Sequence, residues 1–438
     1  MFVGLTFART RGISQTFQLL GDQILYWRIA LGPWRELPLG GGPSSVGGST
    51  LGPVFSWVLW AIRHVVGPWT DNLPHAGGIG LSIIQSAADA CLLIAVWRKT
   101  ASLALALAVT LFVATAPFDM SLTATIWNPP LAVAFAKLAI AAVLLGGENP
   151  SIGWCVAGTS TALLSVHAHS AAVFLAVPVI ASYTARELLA CRWHAALQRA
   201  RATVEIVVLL QVPYLLDLIL RRPERVGPTM VIDSVLYMVD HPGRLRIRDA
   251  FHALTSACEY ILLSPATFAW FGAVVLASVA IVAFRWRRDV MLLCATAIPI
   301  LAAIVGFSFW LRGYDHYWFL PIAPSVALTV ALAMTAWRPA ASAAALVMLA
   351  VVVATLPARM ATARTMNRLP EYGALVKASR AIRRHTPEIR AIVTEFPLPP
   401  TADPEFLYEV LGGRTTRDAG YLAVVSRSGD VTYKLDAP

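Results

Sequence analysis

Five stretches of the chain contain no Asp, Glu, Lys or Arg: residues 149–185, 260–284, 290–311, 316–337 and 339–358. Each is long enough for the roughly 20 apolar residues that cross a bilayer, or for two shorter crossings. Only elements that satisfy their own backbone hydrogen bonds can span lipid, which leaves helices and closed barrels. Continuous apolar runs, rather than alternating segments of about ten residues, exclude the barrel. The expected fold is therefore all-α and polytopic, with about 10–11 transmembrane helices. Composition agrees: 57% of the 438 residues are hydrophobic and only 14% are charged, against roughly 25% charged in a soluble domain. A conventional water-soluble enzyme is excluded.

Crossings are expected over residues 77–97, 101–117, 130–146, 152–166, 169–185, 203–220, 266–284, 290–307, 318–337 and 339–356. Arg98 and Lys99, then Arg186, Arg192, Arg199 and Arg201, then Arg285, Arg287 and Arg288, and finally Arg338 all fall on one side. The positive-inside rule makes that side cytosolic. The short connections 118–128 and 308–317 on the other side hold one basic residue, Arg312. The net charge of +10 is thus an orientation signal and not a nucleic-acid footprint. Residues 221–265 run against the rule, carrying Arg221, Arg222, Arg225, Arg244, Arg246 and Arg248 outside. Either the count is off by one crossing, or these arginines meet anionic groups at the outer surface; the four consistent loops favour the second.

Three regions follow. Residues 1–76 form a first extracytoplasmic loop with interfacial helices, residues 77–358 the transmembrane domain, and residues 359–438 a small extracytoplasmic α/β domain. Residues 54–67 are apolar but short and include Arg63 and His64, as in an interfacial or re-entrant helix. Residues 1–20, interrupted by Arg9 and Arg11, are too short to cross, so apolar codons upstream of Met1 are expected to encode a first transmembrane helix. In the tail, Tyr372, Leu375, Val376, Ser379 and Ile382 recur at helical spacing. Residues 391–396 form a strand candidate, and 421–426 with 431–435 flank a turn as a hairpin. The five cysteines have no metal-ligand or paired spacing and serve as small packing residues.

Carboxylates are scarce, so their positions are informative. Asp22 opens Gly21-Asp22-Gln23-Ile24-Leu25-Tyr26-Trp27 in the first loop; it suits a general base or, equally simply, a helix N-cap. Residues 40–50 are Gly-rich but lack the Lys and the preceding strand of a phosphate loop, leaving a flexible loop that could cover a substrate. Trp127-Asn128-Pro129-Pro130 sits at the mouth of a crossing, where Trp at the interface and Pro at a helix start are ordinary. His167 and His169 are two apart and point to different sides of a helix, which argues against a metal and leaves two readings, hydrogen bonding at a hairpin apex or plain burial. Arg312-Gly313-Tyr314-Asp315-His316-Tyr317-Trp318 is a dense polar knot between two uncharged spans. Its Arg and His can cradle a phosphate while Tyr and Trp pack against sugar rings or lipid headgroups; the plainer reading is an aromatic belt with an Arg–Asp pair.

Taken in order, these motifs resemble bacterial membrane glycosyltransferases of the GT-C class, specifically those like glycosyltransferase family 39, the protein mannosyltransferases and the aminoarabinose transferase of lipid A. The resemblance rests on Gly21-Asp22-Gln23 with Tyr26, Leu51-Gly52-Pro53 with Trp57, Ile126-Trp127-Asn128-Pro129, His169-Ser170-Ala171, Val212-Pro213-Tyr214, and Tyr314-Asp315-His316-Tyr317 leading into Leu320-Pro321. It implies an enzyme of the bacterial inner membrane that takes a sugar from a polyprenyl-phosphate carrier at the outer face and passes it to an acceptor with inversion. Asp22 would be the general base. Arg312, His316, Arg221 and Arg222 would hold the donor phosphate. Gln23, Tyr26, Trp127, Asn128, His169, Tyr314, Asp315 and Tyr317 would contact substrate. Gln23 stands where the family has Glu, so no metal bridged by an Asp–Glu pair is expected, and no cofactor is implied. The partners implied are a lipid-linked donor, an acceptor that is a protein, lipid or polysaccharide, and membrane lipids. A transporter or flippase of lipid-linked sugars, or a non-catalytic assembly subunit, is the alternative. A transporter predicts ionisable residues within the spans, and Asp89, Lys137, Glu205 and Asp217 are near or in them.

Overall fold

The computed structural model describes the whole chain apart from residues 19–20, 43–51, 71–72, 123–124, 148, 222–228, 264–269, 311–313, 337–340, 367, 387, 399–401, 418 and 436–438, and apart from the side chains of 22, 73, 221, 229–232 and 435. Arg222, Arg312 and the side chains of Asp22 and Arg221 lie outside the described residues.

Among the described residues, twenty α-helices dominate. The first four are α1 (Phe2–Thr10), α2 (Ile13–Thr16), α3 (Gly21–Leu31) and α4 (Val54–Val65). The bundle follows as α5 (Leu73–Thr100), α6 (Leu103–Ala114), α7 (Pro117–Leu122), α8 (Asn128–Gly146), α9 (Ile152–Ala168), α10 (Val173–Leu189), α11 (Trp193–Arg221), α12 (Thr229–Asp240), α13 (Ile247–Leu262), α14 (Phe271–Arg285), α15 (Val290–Ala295), α16 (Ala297–Ser308), α17 (Ala323–Met334) and α18 (Ala341–Thr365). The tail adds α19 (Tyr372–His385) and α20 (Pro404–Val410).

Among the described residues, six helical stretches are long and apolar enough to cross a membrane: Pro74–Thr100, Asn128–Gly146, Ser170–Leu189, Trp193–Leu220, His316–Met334 and Ala341–Thr365. The other four expected crossings coincide with shorter apolar helices. Three are α6, α9 and α14; the fourth is broken at Thr296 into α15 and α16, where the Thr296 hydroxyl donates to the Leu292 carbonyl at 2.6 Å. The outer face of α11 shows what surrounds the bundle: Leu209 is 65% and Ile219 75% exposed, a surface suited to lipid and not to water. Inside, helices approach where side chains are small. A Cβ on Gly158 of α9 would collide with the Tyr183 hydroxyl of α10, and Ser165 donates to the Ala132 carbonyl of α8 at 2.7 Å.

Three expectations need correction. Residues 118–128 are not a simple outer connection, because they open with α7, every residue of which is buried. Residues 221–265 are not an irregular loop either, since among the described residues they hold α12 and α13. The amphipathic α13 buries Ala250, Leu254, Ala257, Cys258, Ile261 and Leu262, and lies across the bundle end with the Arg246 amide donating to the Ser308 carbonyl at 3.0 Å. Its apolar residues recur every three or four positions with charges between them, so no charge-free window marks it. Third, Cys191 is exposed in the turn between α10 and α11, with φ at 54°, whereas Cys155, Cys258 and Cys294 are buried.

Helix α18 runs past residue 358. Arg359 is fully buried in the bundle, donating to the Thr115 hydroxyl at 2.8 Å, the Phe112 carbonyl at 3.1 Å and the Leu262 carbonyl. It therefore caps the carbonyl ends of α6 and α13 together, where helix dipoles favour a cation.

In the tail, β2 (Ala391–Thr394), β4 (Tyr421–Val425) and β5 (Val431–Leu435) form a sheet ordered β2-β4-β5. The β4/β5 pair is the antiparallel hairpin with Tyr421 opposite Leu435; β2 pairs parallel with β4. The short β1 (Glu388–Ile389) and β3 (Arg414–Thr415) pair separately. The tail docks on the first loop. Phe17, His75 and Tyr372 pack as three rings with centroids 5.4 to 5.9 Å apart. Arg28 reaches Asp403 at 3.0 Å and lies over the Phe406 ring.

Candidate functional site

The bundle has two ends. At one end lie the N-termini of α8, α10 and α17 and the C-termini of α9 and α16, and there three of the sequence motifs converge. Trp127 precedes α8, His169 leaves α9 in extended backbone with φ −152° and ψ 120°, and Tyr317 begins the short helix before α17. The Trp127 and Tyr317 rings are 4.9 Å apart, and the His169 ring stands edge-on to Tyr317 at 5.7 Å. Asn128 draws the ends of α8 and α9 together by donating to the Ala168 carbonyl at 2.7 Å. His169 is 9% exposed, and its Nδ1 has no hydrogen-bond partner among the described residues. A buried ring nitrogen without a partner is costly, and this one belongs to a ring that packs with aromatic rings at a bundle mouth.

The neighbouring knot is ordered by the same end. Asp315 and His316 are exposed. The His316 ring lies 4.7 Å from that of Tyr260 in α13, with Nε2 3.4 Å from the Ser256 hydroxyl. Tyr314 donates to the Phe307 carbonyl at 2.9 Å, and the Arg246 guanidinium lies over its ring. Burial pushes the Tyr314 phenol above its ordinary pKa while Arg246 opposes the shift, so the phenol keeps its proton and its hydrogen bond.

Gln23, Tyr26 and Asn128 are buried, as His169 is. Gln23 donates to the Gln18 side-chain amide oxygen at 2.8 Å; Tyr26 stands edge-on against Phe55 at 4.7 Å. Both belong to α3, while Asn128 is held by the Ala168 carbonyl. Helix α3 begins at Gly21, which puts the Asp22 backbone inside the first turn and not in front of it. Tyr26 and Trp27 share an apolar cluster with Ile126 and Ala168, so the first loop packs against the same end as Trp127 and His169. The Gly-rich loop is seated there at its flanks. A Cβ on Gly40 would collide with the Asp217 carboxylate of α11, and one on Gly52 with the His167 ring. His167 itself turns away from His169 and lies 2.8 Å from the Gln211 amide.

Below this mouth lies a polar group that charge-free windows could not reveal. Asp89 of α5 pairs with Lys137 of α8 at 2.7 Å and with Arg9 of α1 at 2.6 Å. Asp119 of α7 pairs with Arg9 and, at 3.3 Å, with Lys137. Arg9 also donates to the Ser86 hydroxyl at 2.9 Å, and Lys137 to Gln85 at 3.1 Å. All four charged side chains are at most 5% exposed. Two cations and two anions cancel, as buried charges must. Lys137 is nine residues into α8, about 14 Å below the mouth at roughly 1.5 Å per residue. Phe118 next to Asp119 touches Tyr260 at 5.2 Å, which links this group to the ring under His316. The only sequence signal for it was that charges in such segments need a reason to be there.

No family model matches the sequence, and no curated protein matches it. Among solved structures, the fold is similar to the crystal structure of ArnT from Cupriavidus metallidurans bound to undecaprenyl phosphate, with a TM-score of 0.58 and 14% identity over 93% of this chain and 84% of that one. Weaker likenesses, with TM-scores of 0.43 and 0.40, are to the oligosaccharyltransferase AglB from Archaeoglobus fulgidus, at 12% identity over 97% of this chain and 69% of that one, and to the arabinofuranosyltransferase AftD from Mycobacteria, at 14% identity over 94% of this chain and 30% of that one. The chain thus shares the polytopic helical fold of the ArnT structure, the kind of fold that the resemblance implies.

Proposed function

We propose that this chain is a membrane glycosyltransferase that takes a sugar from a polyprenyl-phosphate donor and passes it, with inversion, to an acceptor at the outer face of the membrane. The observation that carries this reading is the meeting of the Trp127, His169 and Tyr317 rings at one bundle mouth, where the buried His169 Nδ1 has no partner among the described residues. The likeness to ArnT, a structure bound to undecaprenyl phosphate, supports the donor class. Aromatic faces suit the apolar side of a sugar ring, and a ring nitrogen suits one of its hydroxyls.

In this reaction the acceptor oxygen forms a bond to the anomeric carbon as Asp22 takes its proton, and the bond from that carbon to the phosphate oxygen breaks. The phosphate leaves with the electron pair. Arg312 and His316, together with Arg221 and Arg222, would neutralise the charge that grows on it, the largest electrostatic demand of the step. Tyr314 and Asp315 would orient the sugar beside Tyr317.

The test is transfer from a radiolabelled polyprenyl-phosphate sugar in membranes containing the full chain. Asp22→Asn is expected to reduce transfer by about 100-fold or more, in the range of general-base removal, and Arg312→Ala to raise the donor KM more than it changes acceptor choice. Full activity in Asp22→Asn would remove the base assignment.

A further inference from the structure

At the end of the bundle opposite Trp127, His169 and Tyr317, the C-termini of α5, α10 and α14 meet the N-terminus of α15 around two adjoining recesses. One, of about 410 Å³, is lined by Lys99, Arg285, Trp286, Arg287, Arg288 and Asp289. The other, of about 340 Å³, shares Arg288 and Asp289 and adds Arg186 and Leu189. The one carboxylate lining them is already engaged. Asp289 takes the Lys99 ammonium at 2.7 Å on one oxygen and caps α15 with the other, accepting the Leu292 amide at 3.0 Å. Glu187, next to Arg186, is paired with Arg192 at 2.7 Å.

Among the described residues no carboxylate is therefore left for Arg186, Arg285, Arg287 or Arg288. Arg285 rests over the Trp286 ring and Arg287 over that of Phe284, contacts that hold the side chains while leaving their N–H groups available. Orientation of the chain needs basic residues near helix ends, but it does not need them gathered in a recess around a neutralised acid. Basic recesses between helix ends are the chemistry that takes lipid phosphate. The surroundings favour a lipid over a free ion: Leu189 is 73% and Phe284 76% exposed at the rim, offering apolar surface to acyl chains.

We propose that these recesses bind the phosphate headgroup of an anionic phospholipid in the leaflet opposite the candidate active site. The experiment is native mass spectrometry of the detergent-purified full chain, titrated with phosphatidylglycerol, cardiolipin or phosphatidylcholine, and in separate arms with inorganic phosphate. The anionic lipids are expected to bind at least about tenfold more tightly than phosphatidylcholine. Each arginine removed should weaken that binding about fivefold, so Arg285→Gln with Arg288→Gln costs about 25-fold. Lys434→Gln, on the tail hairpin at the other end, should change nothing. Should the double variant fail to fold, Arg287→Gln alone on its exposed side chain gives the fivefold test. Equal affinity for phosphatidylcholine, or unchanged anionic-lipid binding in the variants, overturns the proposal. Displacement of the lipid by an equal concentration of inorganic phosphate overturns it as well, leaving only a simple anion site.

Discussion

The interior quartet of Arg9, Asp89, Asp119 and Lys137 and the mouth formed by Trp127, His169 and Tyr317 are both polar groups in an apolar bundle, and they are built on opposite rules. In the quartet every charge has a counter-charge within 3.3 Å, and side-chain oxygens of Ser86 and Gln85 take further donors. At the mouth the rings leave His169 Nδ1 without a partner. Charge neutrality makes the quartet part of the architecture, a pin that joins α1, α5, α7 and α8 even though Arg9 Nε has no hydrogen-bond partner among the described residues. At the mouth no counter-charge among the described residues faces the imidazole, and the proposed function assigns that nitrogen to a bound sugar. This also decides against reading Asp89 and Lys137 as a transport pathway, since a moving ion needs partners that are not already committed.

The comparison breaks most visibly in stability. Lys137→Met strands Asp89 and Asp119 against Arg9 alone, and is expected to destabilise the bundle by about 3–5 kcal/mol, read as loss of the folded fraction in a detergent thermal melt. Lys137→Met combined with Asp89→Leu removes a cation and an anion together and should recover most of that loss; a double variant no better than the single would show that the quartet is not a charge-balanced unit. His169→Gln keeps most of the buried volume and should change stability by less than about 1.5 kcal/mol, yet lower transfer by about tenfold or more. Equal losses of stability and activity would make His169 another structural pin.

The smallest expected effect is in the tail. Burial holds the Glu405 carboxyl above its usual pKa, partly opposed by the Ile392 amide that donates to it at 3.0 Å. A raised carboxyl binds its proton more tightly when folded, so its contribution is fully present below the ordinary carboxylate range and is lost as pH rises through the raised value. Melting temperature should therefore decline slightly from mildly acid to neutral pH, and Glu405→Gln should flatten that slope.

How legible all this was depended on whether a feature is local. Charge-free runs marked the helices of the bundle, because lipid demands continuous apolarity, and the alternation in 421–425 and 431–435 marked the hairpin. The motifs around Trp127, His169 and Tyr317 could be picked out singly; their meeting could not, since it depends on where three helix ends fall. The quartet was less visible still. Its members lie at positions 9, 89, 119 and 137, and nothing near any of them in sequence names its partner. Helix α13 was hidden by its own arginines, which made an amphipathic helix look like a loop.

The docking of Tyr372 against Phe17 and His75 has a consequence for biogenesis. Phe17 is synthesised well before Tyr372, the ring that packs against it from the tail. At about 5–20 residues per second, roughly 20–70 s separate the synthesis of the two partners. Throughout that interval Phe17 and its neighbours wait uncovered. The first loop is then a late-folding element despite its early synthesis, completed only when the tail arrives to close over it.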